Sequence, residues 1–164
     1  MPIELDDVEP ELAEAQEAFR LGGQDLEEGL TTSDAGLLQL RKACRLLSGA
    51  DRLVADGYFT LAIEASFTSI EKTLVFRLIH DGHHDPSRPP QSHTTAIERS
   101  AEVGFLSDEV ASRLVNLWRT NRAQTYYQDA IATRERAERL VELGTSIHEH
   151  IVNLARIRHE CVCE

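Results

Sequence analysis

The chain has 164 residues, 41% of them hydrophobic and 27% charged, which suits one domain able to cover a real core without disulfide staples. Seventeen basic side chains against twenty-eight acidic ones leave a net charge of −11, which disfavours unaided, non-specific attraction to a polyanion. No apolar run approaches the roughly eighteen residues of a membrane span, and no basic N-region precedes an apolar stretch, so a cytoplasmic address with no membrane partner is expected.

The first thirty residues hold Pro2, Pro10, an acidic run from Glu9 to Glu17 and the Gly22, Gly23 pair, and read as a short helix followed by a loose connector. This acidic arm, residues 1–32, is set apart from a helical body over 33–160. Ser33 is placed as the N-cap of a long helix carrying Leu37, Leu40, Cys44, Leu47 and Leu53 or Val54 at helical spacing, stopped by Asp56 and Gly57. Tyr58 opens the next segment. One stripe there holds Phe59, Ile63, Phe67, Ile70, Leu74 and Leu78, and a second holds Ala62, Ala65, Ser69, Phe76 and Ile79, so this helix is expected to be buried from two sides. Asp81 and Gly82 end it, and Pro86, Pro89 and Pro90 keep 83–92 out of any helix.

Ser92 or His93 is expected to cap a short helix to about Val103. Ser107, followed by Asp108 and Glu109, caps a fourth helix running to about Tyr127. The last helix starts at Thr133 and spaces Ala137, Leu140, Gly144, Ile147, Ile151, Leu154 and Ile157 at threes and fours. Strand signals, repeats and a Gly-rich phosphate loop are absent. The economical architecture is all-α, an antiparallel bundle of four to five helices with an N-terminal helical arm.

The densest functional signal is Trp118-Arg119-Thr120-Asn121-Arg122-Ala123-Gln124-Thr125-Tyr126-Tyr127-Gln128-Asp129. On a straight α-helix Arg119, Arg122 and Tyr126 fall within about 60° of one another, with Asp129 nearby if the helix persists. Guanidinium groups hold phosphate through paired hydrogen bonds, a tyrosine ring stacks a base, and Asn121 fixes either. Arg119, Asn121, Arg122, Tyr126, Tyr127 and Asp129 are therefore the candidate nucleotide- or RNA-binding residues. The alternative is that both arginines pair with carboxylates of a neighbouring helix while the tyrosines close the bundle end.

The order of these segments resembles the HEPN superfamily of small helical nucleotide- and RNA-associated domains over about residues 34–155. Ala43, Leu46, Ala50, Leu53 and Val54, the Asp56-Gly57-Tyr58 turn, and Ala62 to Leu78 with Ala65, Ser66, Ile70 and Glu71 resemble its first helical hairpin. Ser92-His93-Thr94 resembles the opening of its third helix, and Asn121 to Tyr127 with Thr133 to Ala137 resembles its motif helix, turn and final helix. The resemblance implies a two-fold dimer facing one RNA cleft, and in active members metal-independent ribonuclease chemistry on an Arg, four to six residues, then His motif. Here those positions are Gln124, Thr125 or Tyr126 from Arg119, and Tyr127, Gln128 or Asp129 from Arg122, with no histidine among them. A tyrosine of pKa about 10 replaces an imidazole poorly as a general base near neutral pH. The chain thus looks closer to the branch with tyrosine in place of the histidine, and Arg119, Arg122, Tyr126 and Tyr127 stand as catalytic candidates lacking the usual base.

The other titratable residues carry less. His80, His83 and His84 with Asp81 and Asp85 lack a helical His-x-x-x-His pair, while His148, His150, His159, Cys161 and Cys163 read as a polar tail and His93 as a cap partner. Three cysteines, Cys44 in a helix and Cys161 and Cys163 near the end, form neither a disulfide framework nor a metal-ligand pattern and are expected as reduced thiols. No metal and no cofactor is assigned. Two lysines, Lys42 and Lys72, against fifteen arginines on an acidic chain resemble the composition of salt-adapted halophilic archaeal proteins. The expected function is an RNA- or nucleotide-binding HEPN-like homodimer, a toxin–antitoxin component whose partner resembles a minimal nucleotidyltransferase. The alternative is a non-enzymatic helical homodimer acting as adaptor or scaffold.

Overall fold

The computed structural model describes residues 5–155 and 161–163, apart from the side chains of residues 5–7 and of Tyr126. It is all-helical, and the described residues contain no strand. Among the described residues six α-helices follow one another: α1 (Leu5–Leu21), α2 (Ala35–Ala55), α3 (Phe59–His80), α4 (Thr95–Glu102), α5 (Asp108–Asn121) and α6 (Arg134–Ala155), with a π-helical turn at Arg122–Tyr126. Ile157 and His159 lie outside the described residues.

The helix ends follow from local chemistry. Asp56-Gly57, Asp81-Gly82 and Val103-Gly104 each stop a helix with the glycine in the left-handed region, at φ 85°, 77° and 85°. The amide after each glycine then reaches back to a carbonyl five residues earlier: Tyr58 to Leu53 at 2.8 Å, His83 to Leu78 at 2.7 Å and Phe105 to Ser100 at 2.8 Å. These are Schellman caps, and they satisfy the carbonyls that a helix end leaves open. At the N-termini, Ser107 accepts from the Val110 amide as expected, whereas two caps sit elsewhere than the sequence suggests. Asp34, not Ser33, caps α2 by accepting from the Leu37 amide at 2.7 Å. Thr94 occupies the cap of α4, and His93 instead contacts Glu71 at 3.2 Å and packs on the Trp118 ring.

α3 lies at the centre, and the expectation of burial from two sides holds. Its buried residues run from Ala62 through Phe67, Ile70 and Leu74 to Leu78, and it packs against α2, α4 and α6. One core cluster joins the ends of α2 (Ala50, Val54) to the beginnings of α3 (Ala62, Ile63, Phe67) and α6 (Ala137, Leu140, Val141). The other joins Leu40 of α2 to Ile70–Leu78 of α3, Ile147–Val152 of α6 and residues of α4 and α5. α2 is therefore antiparallel to α3, and α6 returns after the α4–α5 crossover alongside α3 in the same sense.

Small residues let these three helices approach closely. A Cβ on Gly144 of α6 would meet Leu47 Cδ2 at 3.0 Å and the Ser66 carbonyl at 3.7 Å. Ser69 of α3 donates to the Ala43 carbonyl of α2 at 3.0 Å, with both residues fully buried. This tight seam brings Cys44, one turn before Leu47, next to His148, one turn after Gly144. By contrast α1 exposes every described side chain from Val8 to Leu21, Phe19 at 92%.

Candidate metal centre

The structure divides the arginine and tyrosine group that the sequence places on one face. Asn121 donates to Glu64 Oε1 at 3.1 Å, and the Arg122 guanidinium sits 3.5 Å from Glu64 Oε2 while lying over the Trp118 ring at 5.2 Å. Arg119 instead lines a groove between α4 and α5 whose other charged residues are Glu98, Glu102 and Asp108. The α-helix ends at Asn121 rather than continuing to Tyr127. The Tyr127 amide reaches the Arg122 carbonyl at 3.1 Å, five residues back, so straight-helix phases do not apply beyond Arg122. Tyr127 and Asp129 are exposed, and the Tyr126 side chain lies outside the described residues.

A second constellation forms where the sequence suggests none. Cys44 of α2, His148 of α6, and Cys161 and Cys163 beyond α6 bring four donor atoms within 4.8 Å of one another. Cys44 Sγ lies 3.0 Å from Cys161 Sγ and 3.5 Å from His148 Nε2, which in turn lies 3.1 Å from Cys161 Sγ and 3.3 Å from Cys163 Sγ. Among the described residues this is the one group of three or more His, Cys, Asp or Glu side chains whose donor atoms converge in this way. His148, Cys161 and Cys163, expected as a polar tail, instead meet Cys44, because packing closes a gap of more than a hundred residues between Cys44 and the others.

Each ligand is placed by its element. Cys44 occupies the core stripe of α2 between Leu40 and Leu47 and is fully buried. His148 follows Ile147 on the core face of α6, is 4% exposed, and directs Nδ1 to Thr73 Oγ1 of α3 at 3.1 Å, which leaves Nε2 facing the sulfurs. Cys161 and Cys163 flank Val162 in a non-helical stretch beyond α6, and both sulfurs reach His148 Nε2. His150, two residues from His148, contacts the Phe105 carbonyl at 3.2 Å instead.

The thiols perturb one another strongly. Contact with the Cys161 sulfur, with burial adding to it, pushes the Cys44 thiol up to about 12. Cys163 is also raised, chiefly by Cys161, and Cys161 is lowered, chiefly by its contact with Cys163. Three sulfurs and an imidazole form a donor set suited to a soft or borderline divalent cation and unsuited to calcium or magnesium, which take oxygen ligands. Tetrahedral zinc at Zn–S ~2.3 Å and Zn–N ~2.0 Å separates its donors by about 3.5–3.8 Å, so the contacts of His148 with Cys161 and Cys163 would open by a few tenths of an ångström and the Cys44–Cys161 pair by about 0.8 Å to receive it. The sequence signal for this site was a core-facing histidine and a core-facing cysteine, each polar amid apolar neighbours, together with the Cys-x-Cys that follows α6. His80, held by Asp81 at 2.8 Å, and His83, packed edge-on against Phe105, take no part.

No curated protein and no solved structure matches the chain. One family, described as a domain of unknown function (DUF8154), matches residues 3–163, and the chain belongs to that family.

Proposed function

We propose that this protein is a zinc-binding helical domain in which one Zn²⁺ joins Cys44, His148, Cys161 and Cys163. The observation that carries the reading is the convergence of those four donors, with His148 Nδ1 already engaged by Thr73. Metal-ligating histidines commonly spend their second nitrogen in this way, which fixes the ring and its tautomer. Four protein ligands complete a tetrahedron and leave no position for substrate, so the metal is structural. Full-length protein expressed with zinc should carry about one zinc per chain by elemental analysis, and Cys163→Ser and His148→Ala should each lose it. Cobalt substitution should give the intense visible bands of a tetrahedral thiolate site. Protein without bound metal whose three thiols all alkylate rapidly under native conditions would overturn the assignment.

A second reading retains RNA or nucleotide binding by a HEPN-like homodimer, with a nucleotidyltransferase-like partner in a toxin–antitoxin pair. Its support is the π-helical turn at Arg122–Tyr126, a geometry frequent at functional sites, beside exposed Arg119 and Tyr127. Glu64 already engages Arg122 and Asn121, so a phosphate must displace that carboxylate. Labelled RNA that binds at low salt, weakens as salt rises and is lost on joint Arg119→Ala and Arg122→Ala substitution would support this reading. No binding at low salt removes it.

A further inference from the structure

We infer that the cation at the Cys/His site also seats the connector between α1 and α2, so that one metal fixes both this connector and residues 161–163 on the bundle; this rests on the zinc reading above. Val162 stands between two of the ligands. Its side chain faces Gly29 in the connector, where a Cβ would lie 3.8 Å from Val162 Cγ2, and Gly29 holds a left-handed φ of 81°. Glu28 and Gly29 of the connector, Arg45 and Ser48 of α2, and Cys161 and Val162 wall a common cavity of about 580 Å³.

Half-buried Leu30 of the connector lines a groove with Leu46, Gly49 and Leu53, and further ties reach α2 on either side of Cys44. Arg41, one turn earlier, donates to the Thr31 carbonyl at 2.8 Å, and Arg45, the next residue, lies 3.9 Å from Glu27. The second of these is an exposed, long-range ion pair of the kind that contributes little. Val162 supplies an apolar floor beneath Gly29, and its position is set by ligands on both of its sides. Without the cation, three crowded sulfurs lose the charge that draws them together. Cys161–Cys163 is then no longer held to α2 and α6, and the connector loses its floor. α1, which exposes Val8, Leu12 and Phe19 at helical spacing, joins the bundle through this connector, so metal loading would govern how that apolar stripe is presented.

Amide hydrogen exchange on the full-length protein tests this, with zinc content measured on every sample. Removing zinc with a chelator should speed exchange across residues 24–34 on the order of tenfold while Ile70–Phe76 of α3 stays protected. Val162→Gly keeps all four ligands and should speed the connector similarly while retaining zinc. Unchanged connector exchange in protein shown to have lost its zinc, or in zinc-loaded Val162→Gly, would overturn the coupling and leave the metal site intact. Equal acceleration of Ile70–Phe76 would also overturn it, since the metal would then support the whole fold. A protein that never binds zinc removes the metal reading and this inference together.

Discussion

Replacing Thr73 by valine isolates the support that α3 gives to the metal centre. Thr73 is fully buried and His148 is 4% exposed, so no solvent stands ready to replace the hydroxyl at 3.1 Å. Valine keeps the branched shape and removes only the acceptor. With zinc on Nε2 the ring proton must sit on Nδ1, whereas the metal-free imidazole can take the other tautomer, so the loss falls mainly on the loaded state. Losing an outer partner of a ligating histidine costs about 10–100-fold in metal affinity, or about 1.4–2.8 kcal/mol at 1.4 kcal/mol per tenfold. The penalty for leaving a buried donor unsatisfied, about 1–3 kcal/mol, reaches the same range independently. The assay is competition for zinc against a chromophoric chelator, with circular dichroism confirming that the helices persist. Thr73→Ser, which keeps the hydroxyl, should bind within about threefold of wild type. A folded Thr73→Val whose Kd stays within about twofold of wild type would refute the assignment of Nε2 as ligand and Nδ1 as the supported nitrogen.

Gly144→Ala sets helix propensity against space. Alanine is favoured over glycine inside a helix by about 0.5–1 kcal/mol, but the added methyl meets buried Leu47 Cδ2 at 3.0 Å, and overpacking costs about 1–3 kcal/mol. A net loss of about 1 kcal/mol is expected in urea unfolding, and Leu47→Ala in the same chain should turn the effect of Gly144→Ala favourable. Asp81 provides a pH test. Burial works against its ionisation, yet the His80 contact at 2.8 Å and the Arg77 ion pair at 2.9 Å outweigh it and hold the carboxyl below its ordinary 3.8. A depressed folded pKa adds stability that is present above the unfolded value and lost as pH falls through the folded one. Asp81→Asn should therefore lower the urea midpoint at neutral pH, with the difference from wild type closing as pH drops below about 4. A gap of constant size down to acid would show that the carboxylate charge contributes nothing.

Helix stops, the double-faced helix and the Ser107 cap were all legible in the chain, because each depends on residues within one or two turns of one another. Glycine after Asp56, Asp81 and Val103 takes the left-handed conformation whatever packs nearby, and the two apolar stripes of α3 announce a central helix without reference to its neighbours. Local choices between near-equal options went by a residue, as with Asp34 over Ser33, since both are competent caps and only the seated chain selects one. Tertiary structure alone decided that Glu64 of α3 engages Asn121 and Arg122, and that the thiols and imidazole form one cage. No spacing rule links Cys44 to His148 and Cys161. Their meeting depends on α6 lying close against α2 and α3 at Gly144 and on Thr73 turning the imidazole, and both are consequences of how three helices pack.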